Sequence, residues 1–219
     1  MAVLDFVASE YTTLYITRVV YANAHNAANA DGSAVFGPPG SEYLTLGNIL
    51  NGLGTFELSR LACAWDTSSI GAAIPIIAAR IVIQLAQPAH GTEHDAGQSV
   101  VEVVEGTNLP FTVADYGAMI GHTDIYGSGP PYASVNPRPG NLFFIELNAA
   151  GMAQINKTGN TTFGLRLFGE LSDDLPTGFN DIDILVDEPL LRVGLEVETG
   201  AAPITPIINK AFALARDEL

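Results

Sequence analysis

Few residues in this chain are able to do chemistry, and their spacing decides which chemistry is open to them. There are four histidines: His25, His90, His94 and His122. His90-x-x-x-His94-Asp95 has the spacing by which one helix face presents two imidazoles to a zinc ion. Its segment, AHGTEHDAG, carries glycines and does not read as a helix, and no third or fourth ligand can be placed. A solvated loop is the better reading. Asp173, Asp174, Asn180, Asp181 and Asp183 form a second group. Carboxylates so grouped can hold a hard cation, which makes Asp173, Asp174, Asp181 and Asp183 weak calcium candidates. Their spacing does not follow the EF-hand loop, and Asp and Asn gather in turns for conformational reasons alone. Turn chemistry is preferred, and no metal or cofactor is expected.

Nucleophiles fare no better. The single cysteine, Cys63, falls on a predicted buried strand face and reads as a small core hydrophobe. The chain has no Gly-x-Ser-x-Gly elbow; Gly127-Ser128-Gly129 lacks the pattern. No Gly-x-Gly-x-x-Gly loop joins a strand to a helix. Glycoside hydrolysis needs two carboxylates facing each other from separate strands. Glu57, Glu102, Glu146, Glu170 and Asp115 are all available, and nothing in the pattern selects a pair. An enzyme is not expected. Tyr116, Tyr126 and Tyr132 sit among Gly and Pro between 105 and 140, and they form the candidate binding surface. Tyrosine's amphipathic ring suits a protein interface or a sugar face equally well. Two Asn-x-Thr sequons, at Asn156 and Asn160, matter only in a glycosylating compartment.

Charge narrows the partners. Nine basic residues against 24 acidic ones give a net charge of −15. Phosphate neutralisation requires clustered Lys and Arg, so direct nucleic-acid contact is not expected, nor is attachment to an anionic membrane. Charged residues are only 15% of the chain and apolar ones 47%, where about a quarter charged is usual. That balance points to a surface partly covered by other subunits. MAVLDFVASEY has no basic n-region and carries Asp5 inside its apolar run, so it does not read as a secretory signal. The chain reads as cytosolic at synthesis, or as a mature form whose leader was removed. The longest apolar stretch, residues 70–85, contains Pro75 and Arg80 and is too short to span a bilayer.

The elements that would position these residues are strands. In FELSRLACAWD, Leu58, Arg60, Ala62 and Ala64 share one face, and Ser59, Leu61, Cys63 and Trp65 the other. Alternation returns at Ile81, Ile83 and Leu85 after a polar break at 66–69 and a Gly71-to-Pro75 corner. Further strands are predicted over 12–24, 43–49, 100–104, 141–147, 161–171, 181–186 and 189–198. Helical spacing is limited to a turn near 147–159, an alternative turn within 111–119, and the tail after Gly200. Turn signals every 8–12 residues and no long amphipathic helix predict an all-β protein, a jelly-roll-like antiparallel β-sandwich. Its divisions would be an N-terminal arm over 1–10 (an edge strand being the alternative for that segment), a sandwich over 11–200, and a C-terminal tail with some helix over 201–219.

The run Arg60-Leu61-Ala62-Cys63-Ala64-Trp65-Asp66-Thr67-Ser68-Ser69-Ile70, with Ile74 and Ala78-Ala79-Arg80-Ile81-Val82-Ile83, resembles the DNRLRE-type carbohydrate-binding-like β-sandwich. Similar patterns occur in tail, fibre and decoration proteins of bacteriophages. Thr162-Phe163-Gly164-Leu165-Arg166 and Pro189-Leu190-Leu191-Arg192-Val193 look like the matching C-terminal strands, so the resemblance covers about 56–198. It implies structural roles for Arg60 and Asp66, with Asp66 capping the turn and Arg60 pairing with it or with a neighbour; Trp65, in phase with Leu61 and Cys63, reads as core. It also implies a non-enzymatic virion component (decoration, collar, fibre or tail protein), assembled in the host cytoplasm. Its partners would be copies of itself and other virion proteins. A carbohydrate-binding module or adhesin with a glycan partner, and an extracellular β-sandwich filament, are the alternatives.

Overall fold

The structure, a computed structural model, describes residues 2–34, 43–84, 100–121, 124–129, 142–168, 175–177, 180–185 and 193–201. Over these residues the protein is all-β. In chain order the elements are β1 (Ala2–Val7), β2 (Glu10–Arg18), α1 (Tyr21–His25), β3 (Gly32–Ala34), β4 (Tyr43–Leu50), β5 (Phe56–Asp66) and β6 (Ile76–Gln84). There follow β7 (Val101–Glu105), α2 (Asp115–Gly121), β8 (Gly127–Ser128), β9 (Leu142–Glu146), α3 (Ala149–Gln154), β10 (Asn160–Leu167), β11 (Asp181–Leu185) and β12 (Gly194–Thr199). Two antiparallel sheets result. The smaller runs β1-β12-β6-β9; the larger runs β11-β4-β5-β10-β7-β8, with β2 on β5 and β3 on β2. Among the described residues no helix is long and apolar enough to cross a membrane.

Everything is arranged around β5. Its residues 56–64 pair with β2 throughout. The start of β5 also pairs with β4, at Phe56–Ser59, and the remainder, Leu61–Asp66, pairs with β10. Period-two alternation sends Leu61, Cys63 and Trp65 toward the smaller sheet. There they join Ile81, Ile83, Phe143, Ile145, Leu195 and Val197 in the main core. The opposite face is buried as well. Leu58 and Ala62 pack with Leu14, Ile16, Tyr21, Tyr116 and Met119 in a second core, so α1 and α2 form a partial third layer on the larger sheet.

Between β5 and β6 the chain passes from one sheet to the other. Asp66 Oδ1 accepts from the Ser68 amide at 3.0 Å, which starts the turn. Gly71 follows at φ +81°, a conformation that a Cβ disfavours. The buried Thr67 hydroxyl lies 2.7 Å from Asn156 O, 2.9 Å from Gly159 O and 2.7 Å from Thr161 Oγ1. One hydroxyl has a single proton, so it donates to one carbonyl and accepts from Thr161. The corner is thereby tied to the turn that leads into β10.

Two segments refine the expectation. Residues 2–7 are the edge strand rather than the arm: β1 pairs with β12 from Ala2↔Thr199 to Val7↔Gly194. Leu4 and Phe6 pack on the core, while Val3, Asp5 and Val7 point to solvent. The strand predicted over 12–24 ends at Arg18, because Thr17 N and the Arg18 guanidinium both bind Asp31 Oδ2, at 2.9 and 2.7 Å. Tyr21 then turns inward on α1 and meets Phe56 edge-on, 5.4 Å between ring centroids.

Candidate functional site

Arg60 is fully buried on the outer face of β5. It does not reach Asp66. Its Nη1 donates to Tyr116 O at 2.6 Å and its Nη2 to His25 O at 3.2 Å, and the guanidinium lies 3.9 Å over the Tyr116 ring. Arg166 on β10 repeats the device, donating to Met119 O at 2.9 Å and standing 3.6 Å from Glu102, its cross-strand neighbour on β7. Two arginines from adjacent strands therefore hold the backbone of α2. A sequence-based signal existed for both, since each sits in phase with apolar residues on its strand.

Trp65 is fully buried. Its indole N–H donates to Val193 O at 3.1 Å, and its ring leans on Phe163 at 6.1 Å. The same Val193 carbonyl accepts from Ala8 N at 3.1 Å, where the chain leaves β1. Asp66 is exposed at the corner. The Ser68 hydroxyl and amide hold its carboxyl below the ordinary value.

Tyr116 and Tyr126 do not form a surface. Tyr116 has no exposed area, and its phenol donates to Ala24 O at 3.2 Å. Tyr126 is 5% exposed, packed edge-on to Phe163. The Gly- and Pro-rich surroundings suggested exposure, but α2 and the β8 segment fold these rings onto the larger sheet. Desolvation, Glu105 and Asp124 together raise the Tyr126 phenol above its ordinary value, against a hydrogen bond from Gln154. Tyr132 lies outside the described residues.

Of the histidines and the calcium candidates, the described residues include His25, Asp181 and Asp183. His25 is buried and stacks on Tyr21. His90, His94, His122, Asp173 and Asp174 lie outside the described residues. Asp181 and Asp183 belong to β11, opposite Gly47 and Thr45 of β4. Among the described residues no three His, Cys, Asp or Glu gather as metal ligands do. Of the predicted C-terminal tail with some helix, 201–219, all but residue 201 lies outside the described residues.

What the described surface does offer is the outer face and free edge of the smaller sheet. Arg80 on β6 stands directly opposite Glu196 of β12 and Glu146 of β9. It binds Glu196 at 2.5 Å, approaches Glu146 at 3.8 Å, and covers the Phe144 ring at 4.4 Å. A groove of about 220 Å³ runs past this ladder to Val3. On β1, Val3 is 62% and Val7 50% exposed. Among the described strands β1 ends the sheet, with β12 on one side only. No family model matches this chain, and no curated protein matches it.

Proposed function

We propose that this protein is a non-enzymatic structural subunit of a phage or virus particle (a decoration, collar, fibre or tail protein) that works through protein–protein contact. The observation that carries this is the edge strand β1. An edge presents unpaired backbone donors and acceptors, and proteins that stay single blunt it with Lys, Pro or a bulge. β1 reads AVLDFV, with Asp5 as its one charge and two valines turned to solvent. Such a strand is built to be covered. A strand from a second copy is a suitable cover, since identical antiparallel edges pair about a two-fold axis. The low charged share and the resemblance of 56–198 to phage modules support the same conclusion.

Sedimentation analysis across a concentration series tests it. The wild type should associate, and Val3→Lys with Val7→Lys should sediment as a monomer with an unchanged melting temperature. A wild type that stays monomeric at every concentration overturns the assembly role. Mass spectrometry of purified particles tests the context: the subunit should be present in fixed stoichiometry.

A further inference from the structure

A second concavity lies where the end of β7, the end of α3 and the start of β10 meet. It has a volume of about 230 Å³, and its walls are almost entirely polar. Among the described residues Asn108, Gln154 and Asn160 contribute carboxamides, Thr107 and Thr162 hydroxyls, Tyr126 its phenol, and Glu105 a carboxylate.

That set excludes most ligand classes. Among the described residues no Lys, Arg or His lines the cleft, so an anion would meet Glu105 with no compensating charge from them. A hard cation wants several carboxylates among six to eight oxygens, and the described walls hold one. An apolar ligand would leave the amides unpaired. The Tyr126 ring offers no hydrophobic floor, since it faces inward against Phe163. A neutral molecule bearing several hydroxyls remains. Each carboxamide presents both a donor and an acceptor, and a carboxylate accepts from two neighbouring hydroxyls at once.

The walls are fixed before any ligand arrives. A Cβ at Gly106 would overlap the Thr162 carbonyl, so the segment after β7 lies directly on β10. Gln154 Nε2 donates to Tyr126 Oη at 3.1 Å, which sets the amide's orientation. The residues before Asn160 are held by Thr161 Oγ1, which accepts from Asn156 N at 2.9 Å. The buried hydroxyl of Thr107 has no hydrogen-bond partner among the described residues, which leaves polar capacity unused in the wall.

We propose that this cleft binds a small neutral polyol, either a sugar ring or a sugar alcohol, with Glu105 accepting from adjacent hydroxyls and the Asn160 and Gln154 carboxamides hydrogen-bonding to it. Ligand capture here is independent of subunit assembly, so loss of one leaves the other standing.

The test is an NMR titration of the full chain that follows the side-chain amides of Asn108, Gln154 and Asn160. The panel is glucose, galactose, mannose, N-acetylglucosamine and sorbitol, with inorganic phosphate and Ca²⁺ as controls. At least one neutral member should shift these amides saturably. Glu105→Gln should weaken that binding roughly tenfold or more, as loss of a charged acceptor does, and Asn160→Ala should weaken it further, both with wild-type melting temperatures. A free monosaccharide that binds as tightly as the matching oligosaccharide identifies a one-ring site; tighter binding of the oligosaccharide identifies a chain end, and either result supports the proposal. It is overturned by silence of these amides across the panel up to solubility, by a response to phosphate or Ca²⁺ alone, or by binding that survives both substitutions.

Discussion

Arg60 and Tyr116 are joined twice: the guanidinium donates to the Tyr116 carbonyl at 2.6 Å and lies 3.9 Å over the same residue's ring. One side chain thus fixes both the backbone and the ring of a residue 56 positions away. Arg60→Met keeps the length of the side chain and removes its donors. The expected loss is about 2–4 kcal/mol, from a lost cation–π contact and hydrogen bonds to two buried carbonyls. Denaturant unfolding monitored by far-UV circular dichroism measures it. A change under about 0.5 kcal/mol would mean that α2 does not depend on this anchor. Arg60→Lys should recover only part of the loss, since an ammonium lacks the planar fork.

Glu102 and Arg166 form a buried pair on neighbouring strands. Removing one charge takes an opposite charge away from a buried neighbour, so Arg166→Met and Glu102→Met should each cost about 3–5 kcal/mol. The double variant should be far less damaged than the sum of the two. A double-mutant cycle on unfolding midpoints checks this, and simple additivity would argue that the pair is not coupled.

Burial pushes the Cys63 thiol well above its ordinary value. The thiolate is the reactive form, so the native protein should resist a disulfide reagent at neutral pH. Labelling should proceed at the rate of unfolding and accelerate with denaturant. Fast labelling of folded protein would place Cys63 outside the core.

Asp66 gives a pH signature. The Ser68 hydroxyl and amide hold its carboxyl below the ordinary 3.8. A depressed carboxyl stabilises the fold at pH above its unfolded-state value, and that contribution is lost as pH falls through the lower folded value. Asp66→Asn should therefore be less stable than the wild type at pH 7 and equal to it once both are below the folded value. Paired thermal melts at the two pH values check the sign; a constant difference would show that charge plays no part in the turn.

Much of the fold was legible because period-two alternation survives wherever a strand has a core face. Leu61, Cys63 and Trp65 were placed correctly by phase alone. Position in the third dimension was not legible. Tyr116 sits among glycines and prolines, a local setting typical of surface, yet α2 lays it over a strand 56 residues earlier. The pairing of Arg60 with Asp66 that the resemblance implied fails on distance: six residues of extended β5 separate them by about 20 Å. β1 alternates cleanly, with Leu4 and Phe6 inward, and its identity as a strand depended on a partner near the other end of the sequence. The polar cleft left no trace at all, because its amides come from segments spread between 105 and 162 and share no motif.

The pairing of β1 with β12 sets the order in which this molecule can be built. Ala2 and Thr199 are bonded across 197 residues, so the first described strand to leave the ribosome waits for the last. The larger sheet can gather its own strands, β2 to β5, β7, β8, β10 and β11, as they emerge, but the smaller one cannot close until synthesis has passed Thr199. Closing so long a loop is slow, and throughout that interval both edges of the unfinished ladder are open to a neighbouring nascent chain.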